Sequence, residues 1–375
     1  MRQIAINASF WNQPNTGSGQ YVRALIPTLA RHDFESDYTL IAPSALDQVP
    51  FCVNAYQTPV ALNRVSANLG KVWFEQIAFT RACLRERATL AHVPYFAPPF
   101  FSRAPVVVTI HDLIPMLLPA YRGSLLVRAY MQLVAASARR ARAIIADSEC
   151  SKRDIVRILR VPESRVRVAY LAAHERFVPV NDATVRAKFN LPENFLLYLG
   201  GYDQRKNVRV LIEAFAQLPE FYRAGVRLVL AGINLGQDSE FFPAPRRIAR
   251  EANLPDDAIQ CIGWVDEADK PALYSHAHAF LFPSLYEGFG LPPLEAMACG
   301  APVLASNASS LPEVIGDAGI LLAPREARAW ADALHAVLTD NARRDMLRTR
   351  GLQQAKKFSW QRAAEETLAI YQSIL

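Results

Sequence analysis

The chain has 375 residues, 51% of them hydrophobic and 20% charged, with 41 Lys+Arg against 35 Asp+Glu and a formal net charge of +6. That length predicts two domains with a large core, which excludes global disorder, and 16 Gly and 25 Pro exclude a collagenous or low-complexity chain. Residues 1–180 hold 21 Lys+Arg against 12 Asp+Glu, a net of +9, while residues 181–375 hold 20 against 23, a net of −3, so the first half suits an anionic partner.

The first strand-like run, 4–7, alternates and lacks the apolar core of a signal peptide. Further strands are expected over 38–42, 90–93, 106–110, 143–146 and 166–171, with helical patterns over 20–30, 72–87, 125–141 and 152–159. The second half repeats the scheme, with strands over 195–199, 227–231, 258–262, 279–282, 302–305 and 320–322. Its helical patterns cover 208–217, 269–277, 294–298, 327–338 and 343–357. Several strands are unbroken apolar runs, as in sheets buried on both faces, and the strand–helix alternation predicts parallel α/β sheets. We therefore expect two doubly wound, Rossmann-like domains, 1–180 and 181–357, facing a central cleft. An amphipathic helix over 358–375 is expected to pack back toward the first domain. No run reaches 18 apolar residues, so no membrane-spanning helix is expected. Cys52, Cys83, Cys150, Cys261 and Cys299 are odd in number and form no CxxC pair, which fits a reducing cytoplasm and not a disulfide or zinc framework.

Four segments carry candidate chemistry. Asn15-Thr-Gly-Ser-Gly-Gln20 lies between a strand and a helix, where Gly17 and Gly19 open the backbone and helix-start amides suit an anion; the alternative is a plain turn. It is not a dinucleotide fingerprint, because Val22 stands where the third glycine belongs and no acid ends the second strand. Thr109-Ile-His-Asp-Leu113 ends a strand and offers His111, which titrates near neutrality, or else a core-satisfied histidine with Asp112 capping the next turn. Leu199-Gly-Gly-Tyr-Asp-Gln-Arg-Lys-Asn207 sets Arg205 and Lys206 at a strand-to-helix turn. There a guanidinium fork and an ammonium point charge can neutralise a diphosphate, or simply face solvent.

Pro283-Ser-Leu-Tyr-Glu-Gly-Phe-Gly-Leu-Pro-Pro-Leu-Glu-Ala296 is the densest segment. Seven residues separate Glu287 from Glu295, Gly288 and Gly290 bracket Phe289, and a helix starts near Pro292. The amides around Gly290 and Leu291 form a nest for a sugar phosphate, and carboxylates accept hydrogen bonds from paired hydroxyls. The alternative is a capped helix with two solvent-facing glutamates.

Together, Gly17-Ser-Gly19, Arg205-Lys206 and Glu287-x7-Glu295 resemble the retaining glycosyltransferases of family 4, which have the two-Rossmann-domain GT-B fold. Ala146-Asp-Ser148, Glu295-Ala-Met-Ala-Cys-Gly300 and Ser310-Leu-Pro-Glu-Val314 extend the likeness along nearly the whole chain. Val108-Thr-Ile-His-Asp-Leu-Ile-Pro115 and Tyr198-Leu-Gly-Gly-Tyr-Asp-Gln-Arg-Lys-Asn207 are similar to the bacterial mannosyltransferase B-like group. The resemblance implies that Glu295 holds the ribose hydroxyls and that Arg205 and Lys206 bind the diphosphate. It implies that Glu287 and the backbone of Gly288, Phe289, Gly290 and Leu291 hold the donor sugar. Gly17 and Gly19 would close over the phosphates, Val265 would contact the base through its backbone, and His111 would sit near the reacting sugar and the acceptor. One departure is Thr16, which stands where the family often has a second adjacent glycine.

The implied reaction is retaining transfer of a hexose, mannose from GDP-mannose, onto a growing lipid-linked bacterial surface glycan such as lipopolysaccharide. A UDP-sugar or dTDP-rhamnose donor is the alternative, or a non-catalytic nucleotide-sugar-binding role in polysaccharide assembly. No Asp-x-Asp motif occurs, and Arg205 and Lys206 can take a metal's place, so neither metal nor cofactor is expected. Arg122, Arg128, Arg139, Arg140 and Arg142 flank the apolar stretch 125–134. They predict peripheral docking on the anionic inner face of the cytoplasmic membrane, each contributing about 1 kcal/mol, against the alternative of a buried helix with solvated arginines. Nucleic acid is not an expected partner, because no motif accompanies the spread basic residues; oligomeric state is unassigned.

Overall fold

The computed structural model describes residues 1–58, 66–233 and 238–375. The chain divides into two units, Met1–Leu171 with Ser359–Leu375, and Ala172–Phe358. The division thus falls between 171 and 172 instead of 180 and 181, and the last helix belongs to the first unit.

The first unit is built on β1 (Arg2–Asn7), β2 (Ser36–Ala42), β3 (Asn54–Gln57), β4 (Leu90–Val93), β5 (Val106–Ile110), β6 (Ala143–Ala146) and β7 (Val166–Val168). All pairings are parallel, in the order β3-β2-β1-β4-β5-β6-β7. β4, β5 and β6 are buried at every residue, as their unbroken apolar runs require. β3 was not expected: Asn54-Ala-Tyr-Gln57 is an edge strand, largely solvent-exposed, so no apolar pattern marks it.

Helix starts lie upstream of the apolar periodicity because polar caps set them. Thr16 caps Gly17–His32 and Ser148 caps Glu149–Leu159, each accepting a backbone N–H three residues on. The pattern over 72–87 proves to be two α-helical pieces, Ala67–Trp73 and Phe79–Arg85, joined by a π-helical turn, Phe74–Ala78. That turn carries the buried Glu75, whose carboxyl burial pushes up to about 7 and which accepts a hydrogen bond from Tyr130 Oη at 2.7 Å.

The five arginines around 125–134 fall into two groups along the chain. Helix Leu125–Ala138 has 14 residues, about 21 Å of rise, so Arg122 and Arg128 stand at its start while Arg139, Arg140 and Arg142 follow its end. Its first residues are not core: Leu125 and Leu126 are 80% and 83% exposed. No helix among the described residues is long and apolar enough to cross a membrane.

The closing helix, Trp360–Gln372, is capped by Ser359 and buries Ala363, Ala364, Thr367, Ile370 and Tyr371 against the first unit, packing on Gly17–His32. A buried hydrogen-bond chain fixes it. Tyr371 Oη lies 2.6 Å from His92 Nδ1, His92 Nε2 lies 2.9 Å from Thr109 Oγ1, and Thr109 Oγ1 lies 3.0 Å from Tyr21 Oη.

The second unit holds β8 (Phe195–Leu199), β9 (Arg227–Ala231), β10 (Ile259–Gly263), β11 (Ala279–Phe282), β12 (Val303–Ser306) and β13 (Ile320–Leu322), parallel in the order β10-β9-β8-β11-β12-β13. Its core gathers Tyr198, Leu211, Phe215, Leu230, Trp330 and Leu334. Both sheets are doubly wound, as expected. Chain order reverses between β1 and β4 in one and between β8 and β11 in the other, and ligands of such sheets bind beyond the strand carboxyl ends at that reversal.

Candidate active site

In the second unit, β8 and β11 are neighbours, so the loops that follow them meet. Asn207, at φ 54°, donates through Nδ2 to the Pro283 and Pro324 carbonyls at 3.1 and 2.6 Å. Leu285 N–H donates to Arg205 O at 2.8 Å, and Arg205 Nη1 donates to Tyr286 O at 2.7 Å. These bonds bring Arg205, Lys206 and Glu287 into one cluster: Glu287 Oε1 lies 2.7 Å from both Arg205 Nη1 and Lys206 Nζ. Asp203 stands further off, at 3.8 Å from Arg205 Nε. Burial works against a charged Glu287, but Lys206 and Arg205 outweigh it and hold the carboxyl below its usual range. One carboxylate therefore holds two cations side by side that would otherwise repel.

Helix Leu291–Ala298 begins at Gly290, whose φ of +116° suits glycine and whose added Cβ would come within 2.8 Å of Leu311 Cδ2. Gly288, Phe289 and Gly290 are buried, not open, and Leu291 is half-buried. The Phe289 ring packs edge-on against Phe358. Two serines that the motif reading left without a role hold this loop. Ser309 Oγ accepts from Glu287 N–H at 2.8 Å, and Ser310 Oγ lies 3.0 and 2.6 Å from the Glu287 and Phe289 carbonyl oxygens. Ser310 opens the quoted Ser310-Leu-Pro-Glu-Val314 segment, which was the available signal.

Glu295 belongs to a separate hydrogen-bonded group. It is 5% exposed, and Tyr274 Oη donates to its Oε2 at 3.1 Å. Burial pushes its carboxyl up to about 7, opposed by Lys270. Neither glutamate of the Glu287-x7-Glu295 pair is solvent-facing. Val265 is buried and follows β10 at the sheet edge, after Gly263 at φ +73°.

In the first unit, Ile110 pairs with Ala146, so His111 and Asp147 emerge together beyond the ends of β5 and β6. His111 Nδ1 lies 2.7 Å from Asp147 Oδ2. Burial works against the imidazolium, but the Asp147 charge and hydrogen bond, with Asp112 and the Pro94 carbonyl, outweigh it and raise the pKa. With Nδ1–H donating to Asp147, Nε2 faces away and is buried without a hydrogen bond of normal geometry. Tyr21 packs its ring edge-on at 5.0 Å, and Ser151 Oγ donates to His111 O. Asp112 caps the following turn by accepting from Ile114 N–H, as the alternative reading had it. Asp147 was quoted within Ala146-Asp-Ser148 without a role; only the strand register reveals it.

Gly17 and Gly19 part company. Gly17 is exposed with nothing near a Cβ. Gly19 is buried, and its Cβ would fall 1.9 Å from Gln13 O. Its N–H already donates to Thr16 Oγ1 at 3.1 Å, so Gly19 is a packing glycine inside the helix and not an open phosphate contact.

The Glycosyl transferases group 1 family matches residues 181–354, and Glycosyltransferase Family 4 matches residues 15–173. The chain is 32% identical over 373 residues to the O-antigen chain mannosyltransferase B of Escherichia coli, covering 96% of each. Among solved structures it is similar to sucrose-phosphate synthase from Thermosynechococcus elongatus, with TM-score 0.76 and 24% identity over 100% of this chain and 99% of that one. It is also similar to Anabaena HepE in complex with UDP, with TM-score 0.74 and 18% identity over 100% of both. Two parallel, doubly wound units and the near full-length likeness agree: the chain belongs to the family 4 glycosyltransferases of GT-B fold and is similar to their mannosyltransferase B-like members.

Proposed function

We propose that this glycosyltransferase moves mannose from GDP-mannose onto a lipid-linked bacterial surface glycan, with retention and without a metal ion. The mannosyl reading rests on the likeness to the O-antigen chain mannosyltransferase B. The chemistry rests on the Arg205–Glu287–Lys206 cluster. As the bond between the anomeric carbon and the phosphate oxygen breaks, charge grows on the departing diphosphate, and two cations already fixed in place meet it without reorganisation. The acceptor hydroxyl attacks from the face the diphosphate leaves, and its proton passes to the departing phosphate oxygen. His111, its Nδ1 committed to Asp147, offers Nε2–H to an oxygen at the reacting centre. Glu295 accepts hydrogen bonds from the ribose hydroxyls, and Glu287 from the donor sugar. A cytoplasmic location, where nucleotide sugars are made, goes with this reading.

A donor screen reading released GDP, UDP or dTDP tests it. GDP release from GDP-mannose alone is expected. Turnover of a UDP-sugar or dTDP-rhamnose instead overturns the donor, and no turnover with any of them favours the non-catalytic role. Rates unchanged by EDTA and a fresh product with the donor's anomeric configuration are expected; the opposite of either removes that part of the mechanism.

A further inference from the structure

A cavity of about 910 Å³ opens at the amino ends of β5 and β6, between residues 76–84 and the loop 98–105. Arg81, Arg103, Arg140 and Arg142 line it, and no Asp or Glu does. All four are exposed, and none pairs with a carboxylate among the described residues. Elsewhere exposed arginines do find acids, as Arg157, Arg328 and Arg362 show. A smaller cavity of about 220 Å³ continues from Arg103 past Arg87 to Thr89, at the start of β4.

The groove is built, not incidental. The Gln76 side chain donates to Pro98 O at 3.2 Å and accepts from Phe100 N–H at 2.9 Å, pinning the loop to the helical wall. Arg140 Nε donates to Phe100 O, and its guanidinium lies 4.8 and 5.4 Å from the Phe100 and Phe101 ring centres. The cation is oriented without being neutralised. The rim is apolar and open: Phe101 is 70% exposed, and Leu84, Ile77 and Trp73 are also exposed, Trp73 beside Arg81.

We propose that this groove docks the chain on an anionic lipid bilayer, its arginines meeting headgroup phosphates while Phe101, Leu84, Ile77 and Trp73 enter the acyl boundary. A soluble polyanion satisfies the arginines but leaves the apolar rim in water; an anionic bilayer answers both. The groove shares Arg140 and Arg142 with the set expected around 125–134, but not Arg122, Arg128 or Arg139. β5 has five residues, about 16 Å, and His111 follows its far end. Within this unit the lipid face and His111 therefore lie about one strand length apart. That spacing suits an acceptor glycan already several sugars long, a consequence that rests on the proposed acceptor; the docking does not.

Flotation of the full chain with phosphatidylcholine vesicles, with and without phosphatidylglycerol, tests the groove. The chain is expected to float only when phosphatidylglycerol is present, and less as salt rises. Arg103→Gln with Arg142→Gln is expected to weaken partitioning about thirtyfold, since each cation near an anionic leaflet is worth about fivefold. Phe101→Ser is expected to weaken it without a change in charge. Arg122→Gln with Arg128→Gln, at the start of Leu125–Ala138, is expected to float like the parent. Failure to float with phosphatidylglycerol, unchanged flotation of the Arg103 and Arg142 variant, or loss on changing Arg122 and Arg128 instead overturns the proposal. Flotation needs no turnover, so a wrong donor assignment leaves it standing.

Discussion

A carboxylate between two cations, as at Glu287, holds both side by side in the resting protein, as the proposed diphosphate role requires. Lys206→Ala removes one of them. Its kcat is expected to fall on the order of 100–1000-fold with the circular dichroism spectrum unchanged, and near-normal turnover sinks the diphosphate role. Glu295 gives a pH test. Burial pushes its carboxyl up to about 7, so the proton-free form that the proposed ribose contact needs is lost as pH falls through that value. KM for the donor is expected to rise below about pH 7, while the Glu295→Gln enzyme, uniformly weak, shows no such rise. A parent KM flat across that range removes Glu295 from the ribose site. The two loop glycines separate in the same way. Gly19→Ala drives a Cβ into Gln13 O and is expected to cost on the order of 1–3 kcal/mol in urea unfolding. Gly17→Ala has open space, so any activity it loses at unchanged stability reports a contact with substrate.

Elements whose burial is written in apolar runs were legible: 90–93, 106–110, 143–146, 195–199 and 279–282 are strands with the expected ends. Asn54–Gln57 was not, because an exposed edge strand needs no apolar alternation. Of the candidate site, Arg205-Lys206 and Glu287-x7-Glu295 were readable because each pair is local in sequence, whereas the meeting of Glu287 with Lys206, 81 residues away, depends on the pairing of β8 with β11. Asp147 was not, because it reaches His111 only through the register of two parallel strands, 36 residues apart in sequence. Nor was the Tyr371–His92–Thr109–Tyr21 chain, which ties the closing helix to β4 and β5. Burial holds His92 neutral, its pKa pushed down to about 3, so the ring can satisfy a hydroxyl on each side. Tyr371→Phe leaves one ring nitrogen buried and unpaired, and is expected to cost on the order of 1–3 kcal/mol in urea unfolding. A cost near zero means that the hydroxyl's bond is not formed in solution.

The order of elements along the chain and the order in which they pack are different things in this molecule. Residues 359–375 come last, after the whole second unit, yet they complete the first. Ile370 and Tyr371 are nearly fully buried there, each worth on the order of 1.5–3 kcal/mol, and Ala363, Ala364 and Thr367 close the face between them. The second unit has its own core, to which this helix contributes no residue. A chain ending at Phe358 is therefore expected to lose hydrogen-exchange protection selectively. Amides of β1, β4 and Gly17–His32 should exchange faster, approaching the rates of a locally opened unit, while those of β8, β11 and β12 keep the parent's rates. Equal loss in both units would mean that the helix stabilises the molecule as a whole. No loss in either would mean that the first unit is complete without it.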